Sequence, residues 1–161
     1  MRAFPGWAKP CRMRRLAALA LSVLLLCGCG GEGGGAEPSA RAKALLATLP
    51  AAYRGADIEN GKTVFNLCRS CHTAIAGGAV ITGPNLHGVF GRKAGVTPGY
   101  AYSSALSATG WTWDAGRLHG WLKDPRTAVP GTKMTFVGIS DDKDRRDLIA
   151  YLRLVTEDAA P

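Results

Sequence analysis

The sequence predicts an all-α domain of three to five helices wrapped around a bulky apolar group. Segments with capping residues and one apolar face predict helices near residues 57–68, 114–123 and 140–155. Residues 73–102 hold many Gly and Pro residues without a sustained period, which predicts a long loop, and strand patterns are nearly absent. A domain of about 105 residues built this way has a thin core. A bound group would supply the missing apolar volume.

The N-terminal stretch is the least regular part of the chain. Residues 30–38 are Gly-rich and of low complexity, which predicts disorder. The Ala/Leu-rich segment from Ser39 to Leu49 fits a short helix that Pro50 ends, or equally a semi-ordered stalk. We therefore expect the folded domain to begin near Gly55.

The three main helices each have a recognisable start. Asp57 is a candidate N-cap for the first and Asp114 begins the second, which Asp124-Pro125 ends. Ser140 is the expected N-cap of the third, with acidic residues in its first turn that favour the positive helix end. Its apolar face consists of Leu148, Ile149, Leu152 and Val155.

The charge of the chain is concentrated at its N-terminus. The 161 residues carry a formal charge of +8. Residues 1–28 contribute five basic residues and no acid, which leaves 15 basic against 12 acidic residues. No basic stripe with interleaved aromatic residues exists, so a role in nucleic-acid binding has no support.

Residues 1–28 predict a lipoprotein export signal that is removed. Arg14 and Arg15 precede the apolar run of residues 16–26, which is too short to span a bilayer as a helix. Met13 could be the true start, or residues 1–12 could be a long basic region of the signal. Gly28 precedes Cys29, and a small residue before a cysteine is typical of a lipidation site. An ordinary signal peptide that contains cysteines is the alternative. Residues 29–54 would then be the lipidated Cys29 and a flexible tether, and residues 55–161 the folded domain.

Cys68-Arg69-Ser70-Cys71-His72 matches the C-x-x-C-H signature for covalent haem attachment. Two cysteines three residues apart near a helix end can reach both vinyl groups of one haem as thioethers, and the adjacent His72 is then held against the iron. A disulfide or a thioredoxin-like pair is the alternative, and His72 directly after the pair argues against it.

The sixth coordination position of the iron has three candidate ligands after His72. These are His87, His119 and Met134. Met134 lies in a constrained Pro-Gly loop after a helix, which could bring its thioether to the distal face. The alternative for a lone methionine is core filling.

Residues 55–155 resemble the mitochondrial-type class I cytochrome c family almost without gaps. The stretches that carry the resemblance are TGPNLHGVFGRK (82–93), PGYAY (98–102), PGTKMTFVGI (130–139) and DLIAYL (147–152). The resemblance implies the class I cytochrome c fold with one covalent haem c. It implies His72 and Met134 as axial ligands, with the Pro84 carbonyl orienting the imidazole. It further implies that His87 is not a ligand, and we read His119 as a solvated helix residue.

The resemblance also implies a set of contacts around the haem and a close helix crossing. Arg92, Tyr102 and Trp113 would lie against the propionates, with Thr132 as a further polar contact and Phe136 beside the exposed haem edge. Gly61 and Tyr151 would mark the crossing of the first and last helices.

The chain departs from the family pattern at the haem and at the surface. Leu106, Trp121 and Val80 stand where the family usually has Asn, Tyr and His. Several family lysines around the haem edge are replaced, while Arg126 and Lys133 remain. The replacements are Leu67, Ala79, Ile81, Ser140, Asp141 and Asp142. We expect a docking surface that is neutral and more apolar around Ala74, Ile75 and Ala79.

These features predict a monomeric, membrane-tethered one-electron carrier and not an enzyme. By analogy with the family, it would pass electrons from a quinol–cytochrome c reductase to a terminal oxidase such as cytochrome c oxidase. Cys29 would hold it in the lipid bilayer on the periplasmic side of a bacterial membrane, the cytoplasmic membrane being expected. A peroxidase with a labile sixth ligand and a fixed subunit of a respiratory complex are the alternatives.

Overall fold

The computed structural model describes residues 38–158, and this part of the chain is helical. None of its helices is both long and apolar enough to cross a membrane. The predicted lipidation site Cys29 and the export signal lie outside the described residues. The helices are α1 (Ala40–Ala47), α2 (Ala51–Arg54), α3 (Ile58–Phe65), α4 (Ser104–Ser107), α5 (Ala115–Lys123), α6 (Pro125–Ala128) and α7 (Asp142–Val155).

Helix α7 is the centre of the fold, because α1, α2, α3 and α5 all pack against it. Leu148 and Ile149 on this helix are fully buried. Helix α3 crosses α7 at Gly61, where a Cβ atom would overlap the Asp147 carbonyl and lie 2.8 Å from the Tyr151 Cβ. Only glycine permits this approach, so the predicted crossing at Gly61 and Tyr151 is confirmed.

A buried carboxylate joins the same two helices. The Asp147 side chain is almost completely buried and accepts hydrogen bonds from the Asp57 N–H at 3.0 Å and the Asn60 Nδ2 at 2.8 Å. The Lys143 Nζ lies 2.6 Å away. Burial alone would raise the pKa of Asp147, but the hydrogen bonds from Lys143, Asn60 and Asp57 together hold that pKa below its usual value.

Two of the three predicted helix starts are confirmed and one is wrong by a residue. The side chains of Asp57 and Asp114 cap α3 and α5. Helix α7 is capped by Asp141 and not by Ser140, because the Asp141 carboxylate accepts the Asp144 N–H at 2.8 Å. Both a serine hydroxyl and a carboxylate can accept this N–H, but only the carboxylate also carries a negative charge that interacts with the positive end of the helix.

The predicted long loop is confirmed, since residues 73–102 contain no helix. Hydrogen bonds within the loop replace regular structure. The Asn85 Nδ2 donates to the carbonyls of Ile75 and Gly78 at 2.9 and 2.8 Å. An isolated antiparallel bridge between Lys93 and Thr112 joins the loop to the segment before α5.

The residues before the expected domain boundary near Gly55 are also folded, since α1 and α2 pack against α7. Leu49 and Ala42 are buried, with 3% and 2% of their surface exposed. The Arg41 Nη2 donates to the Glu157 carbonyl at 2.7 Å, and the Arg153 Nε donates to the Thr48 Oγ1 at 3.1 Å. We call residues 38–56 the docked extension. Of the predicted tether, residues 29–37 lie outside the described part of the chain.

Candidate haem-binding site

One cavity of about 280 Å³ brings together every haem-contacting residue that the sequence predicts. Its lining is mainly apolar and comes from the turn after α3, the long loop, α4, the segment before α5, helices α5 and α7, and the loop after α6. Leu86, Val89, Leu106, Leu118, Leu122 and Leu152 form most of the apolar wall. This composition is typical of a site that holds a large apolar ligand.

The two cysteines of the attachment motif lie on a turn that continues α3. The N–H groups of Cys71 and His72 both donate to the Cys68 carbonyl, at 3.0 and 2.9 Å. The turn brings both side chains to the same cavity, and both are half-buried. Burial, and then the neighbouring Cys71, raise the pKa of the Cys68 thiol to about 11.

The His72 ring is held on two sides. Its Nδ1 lies 2.8 Å from the Pro84 carbonyl oxygen, which leaves Nε2 for a metal. Burial lowers the pKa of His72, while the bond to Pro84 acts in the opposite direction. The imidazole is thereby kept in the neutral form that ligates iron. Gly83 packs on the ring, where an added Cβ would lie 2.8 Å from both ring nitrogens.

Met134 lines the same cavity as His72. Its N–H donates to the Thr132 Oγ1 at 3.2 Å, and the neighbouring Lys133 Nζ donates to the Ala101 carbonyl at 2.9 Å. The bond from Lys133 joins the loop after α6 to the long loop, and the bond from Met134 lies within the loop after α6. The side chain is half-buried, as expected of a residue that faces a cavity.

The two competing histidines do not line the cavity. The His87 Nε2 lies 3.2 Å from Asp158, at the end of α7. His119 differs from the predicted solvated residue, because its side chain is 23% exposed and its Nε2 lies 2.9 Å from Asp142. Burial, followed by Arg145, lowers the pKa of His119. The packing of α5 on α7 buries part of the ring, which the helix pattern alone does not indicate.

The five residues expected around the haem all line the cavity. Arg92 is held by two backbone carbonyls, with Nη1 2.7 Å from His87 O and Nη2 3.1 Å from Asn85 O. Burial lowers the pKa of Arg92. The Thr132 hydroxyl accepts a hydrogen bond from the Met134 N–H. Their expected contacts to propionates and the haem edge remain predictions. The five are Arg92, Tyr102, Trp113, Thr132 and Phe136.

The comparison with known proteins decides the family. The family model for cytochrome c matches residues 58–156. The chain belongs to the cytochrome c family. It is 42% identical over 105 residues to cytochrome c of Kluyveromyces lactis, covering 65% of this chain and 96% of that protein. It is 45% identical over 96 residues to cytochrome c2 of Rhodoplanes tepidamans, covering 60% and 90%.

A solved structure agrees with this assignment. Cytochrome cH from Methylobacterium extorquens superposes with a TM-score of 0.56 at 48% identity, covering 60% of this chain and 96% of that one. The family carries covalent haem c, and the cavity fits it: two thiols, a neutral imidazole and a thioether face one apolar space. The protein is therefore a haem-based electron carrier with the all-α class I fold.

Two of the departures from the family pattern, Leu106 and Trp121, lie in the cavity wall. Both residues are buried, and they line the cavity with an aliphatic side chain at Leu106 and an indole ring at Trp121. Trp113 and Trp121 pack edge to face with centroids 5.7 Å apart, and Trp111 packs against both. An indole cannot accept a hydrogen bond as a hydroxyl can. The polar network expected of the family is thus changed at two positions.

Tyr100 and Gly83 are among the site residues that the sequence does not single out. Tyr100 lines the cavity and packs on Tyr102 at a centroid distance of 4.7 Å. Its place in the PGYAY stretch, two residues before Tyr102, was the available signal. Gly83 leaves room for the His72 ring, because a Cβ at this position would overlap the ring. No local sequence pattern indicates this contact, since it depends on how the long loop folds back to the attachment motif.

Of the three residues expected to form an apolar surface, Ile75 and Ala79 are exposed and Ala74 is not. Ala74 is 4% exposed and cannot contribute to a docking surface, because the loop folds over it. Leu67, which lines the cavity, is 59% exposed, and Ile81 is 50% exposed. Val137, next to the cavity residue Phe136, is 87% exposed. Ile75 is also exposed, at 58%.

Proposed function

We propose that this cytochrome c is a membrane-tethered one-electron carrier and not an enzyme. The observation that carries the proposal is that His72 and Met134 line the same apolar cavity as Cys68 and Cys71. His72 and Met134 would hold the iron from the two sides of the haem, which would leave no position for a substrate. Burial and an axial thioether favour a positive potential, as a carrier late in a respiratory chain requires.

Each residue of the site has a part in electron transfer. When bound, the haem supplies an iron that changes by one electron. His72, held by Pro84 and Gly83, keeps a fixed ring orientation, which limits reorganisation when the charge changes. The apolar wall excludes water, and Arg92 places a positive charge where carboxylates would be buried. Cys68 and Cys71 would fix the group covalently.

We further propose that Cys29 is lipidated and holds the protein on the periplasmic side of a bacterial membrane. The support is the export signal followed by Gly28-Cys29. Because residues from 38 onward are folded onto the domain, the connection to the anchor shortens to residues 30–37. A fully extended chain rises about 3.3–3.6 Å per residue, so these residues span at most about 29 Å. The domain would therefore stay close to the bilayer.

The proposed donor is a quinol–cytochrome c reductase and the proposed acceptor a terminal oxidase. Their support is analogy with the family. The exposed Leu67, Ile81 and Val137 at the cavity rim indicate that the contact with these complexes is largely uncharged. Confinement to the membrane would replace long-range attraction by charge, since tethering raises the effective concentration of the partners.

Three measurements on the native host and its membranes test the proposal. Mass spectrometry of the N-terminal peptide should find a diacylglyceryl group on Cys29, and a Cys29→Ser protein should no longer fractionate wholly with membranes. Isolated membranes given a quinol should reduce the haem, and oxygen should reoxidise it. A haem that a quinol does not reduce would contradict the assignment of partners while leaving the anchor intact.

A further inference from the structure

The His119 ring lies between α5 and α7, and two groups on α7 compete for its Nε2 nitrogen. The Asp142 Oδ1 lies 2.9 Å from this nitrogen, and the Arg145 Nε donates to it at 3.2 Å. A guanidinium group can only donate, so its bond needs a lone pair on Nε2, whereas a carboxylate can only accept and needs a proton there. Protonation of the ring therefore satisfies Asp142 and excludes the Arg145 Nε.

Arg145 joins this histidine to the loop that carries Met134. Its side chain is buried, and its Nη1 donates to the carbonyls of Ile139 and Ser140, at 2.6 and 2.8 Å. Ile139 follows Met134 in the loop after α6, and its N–H donates to the Leu122 carbonyl at 2.8 Å. Leu122 belongs to α5 and lines the haem cavity. Arg145 therefore holds one end of the Met134 loop against the two helices that meet at the histidine.

The charges around His119 favour the neutral ring. The Nδ1 of this ring is buried and has no hydrogen-bond partner among the described residues. Burial, followed by Arg145, Arg146 and Lys123, lowers the pKa of His119. Asp142, the acid beside the ring, is already paired with both arginines. A proton on the ring would thus place a third positive charge around one carboxylate.

The other elements that meet the ring or its helix add no negative charge. Tyr53 of α2 packs edge to face on His119 with centroids 6.0 Å apart, and its hydroxyl donates to the Ala115 carbonyl at 3.3 Å. Burial raises the pKa of Tyr53, so this hydroxyl stays neutral. Helix α6, which also packs on α5, carries Arg126 as its charged residue, and that side chain is exposed. Neither residue would stabilise a protonated ring.

We propose that His119 positions the Met134 loop through Arg145, and that protonation of His119 loosens this loop. The neutral ring accepts the Arg145 Nε–H and helps to hold the guanidinium group on the two loop carbonyls. The protonated ring donates to Asp142 instead, loses the bond from Arg145 and adds a positive charge beside it. The inference rests on the proposed ligation of the iron by Met134. A thioether on a loosened loop leaves the iron more readily, so the carrier keeps its closed haem at neutral pH and opens it in mild acid.

The test follows the ring, the loop and the iron ligand of the ferric holoprotein between pH 8 and pH 4. NMR titration of the His119 ring gives the pH at which it takes up its proton. Protection of the Ile139 amide against hydrogen exchange reports the end of the loop, because this amide donates to Leu122. The weak red-edge absorption band reports the bond between iron and thioether. The three signals should change together in the parent protein, below the ordinary histidine pKa of 6.5 and not above it.

His119→Gln separates the proton from the hydrogen bond. A glutamine amide oxygen can accept the Arg145 N–H, but the amide does not take up a proton in this pH range. Protection of the Ile139 amide should fall several-fold from pH 7 to pH 5 in the parent protein and stay constant in H119Q. The pH at which half of the red-edge band is lost should lie about one unit lower in H119Q, because no proton on residue 119 then favours the open loop.

His87→Gln is the matched control, because His87 also pairs with an aspartate but does not line the cavity. It should leave both curves of the parent protein unchanged. The same loss of Ile139 protection in the parent and in H119Q would overturn the inference, as would constant protection while the His119 ring titrates. If the parent shows no red-edge band at pH 7, ligation by Met134 fails. The exchange of Ile139 in the parent and in H119Q then decides whether His119 positions the loop.

Discussion

The haem site depends on single residues whose neighbours leave them little freedom. The Pro84 carbonyl fixes one nitrogen of His72, and Gly83 lies flat against the ring. Thr132 holds the N–H of Met134. The motif and the Met134 loop could be recognised from the sequence, because covalent attachment and iron ligation need particular residue types. The supporting contact from Gly83 could not, because it arises only when the loop folds back.

Replacing Gly83 by Ala should disturb the iron ligand directly. The added methyl group meets the His72 ring at 2.8 Å from both nitrogens, so the ring or the loop must shift. We expect a loss of about 1–3 kcal/mol in the free energy of unfolding, the usual cost of overpacking, together with an altered haem spectrum. Gly120→Ala is the control, because a Cβ there meets nothing within 4 Å and alanine favours a helix. A G83A holoprotein with the parent's spectrum and stability would refute this account of the ring.

At the scale of elements, α7 organises the molecule and its neighbours depend on it. Asp147 ties α3 to α7 from a buried position, and Leu49 packs the extension on the core. The starts of α3 and α5 were predictable because Asp57 and Asp114 are strong local signals. The fate of residues 40–54 was not predictable, because helices this short are unstable alone and form here through burial against α7.

Asp147 should make the stability of the fold sensitive to acid. Its pKa is held below that of the unfolded chain, so its contribution is present above about pH 4 and is lost as the pH falls through the folded value. Asp147→Asn should cost about 1–3 kcal/mol at neutral pH and flatten the loss of stability in acid. Denaturant unfolding from pH 7 to pH 3 measures both effects. Glu59→Gln, at an exposed position of α3, should change neither the stability at neutral pH nor its loss in acid. A D147N protein as stable as the parent at pH 7 would be inconsistent with the buried network.

Truncating Leu49 should loosen the docked extension without affecting the haem. Leu49 is 3% exposed, so Leu49→Ala removes buried apolar surface and leaves a cavity against α7. We expect up to about 2–4 kcal/mol lost from the packing of the extension and faster hydrogen exchange in α1, with the haem spectrum unchanged. Ile75→Ala, at a 58% exposed position outside the cavity, should cost little by comparison. Unchanged exchange in α1 would mean that Leu49 does not hold the extension.

At the scale of the whole molecule, apolar and charged surfaces are separated. The cavity rim exposes Leu67, Ile81 and Val137, whereas surplus positive charge lies on the extension. A carrier that finds its partner by charge attraction slows as salt screens the attraction, but one confined to the membrane beside its partner need not.

Electron transfer from the anchored protein to its oxidase should therefore depend weakly on salt. We expect a change of about twofold or less between low and physiological ionic strength, since few exposed charges at the rim are screened. Oxygen uptake by membranes over a salt series measures this. A soluble form beginning at Pro38 retains the packed extension and should lose rate chiefly through slower encounter. An order-of-magnitude slowing of the anchored form would show that charge, and not tethering, brings the partners together.

The binding of carbon monoxide to the ferrous holoprotein at neutral pH tests the central claim most directly. If His72 and Met134 close both axial positions, the parent protein should show no change in its spectrum, and its ferric form should show the weak red-edge band of iron–thioether ligation. Met134→Ala should lose that band and bind carbon monoxide. Its midpoint potential should also fall by a sizeable part of the roughly 0.8 V that axial ligands span. A parent protein that binds carbon monoxide readily, or a Met134→Ala variant indistinguishable from it, would contradict the account of a closed electron carrier.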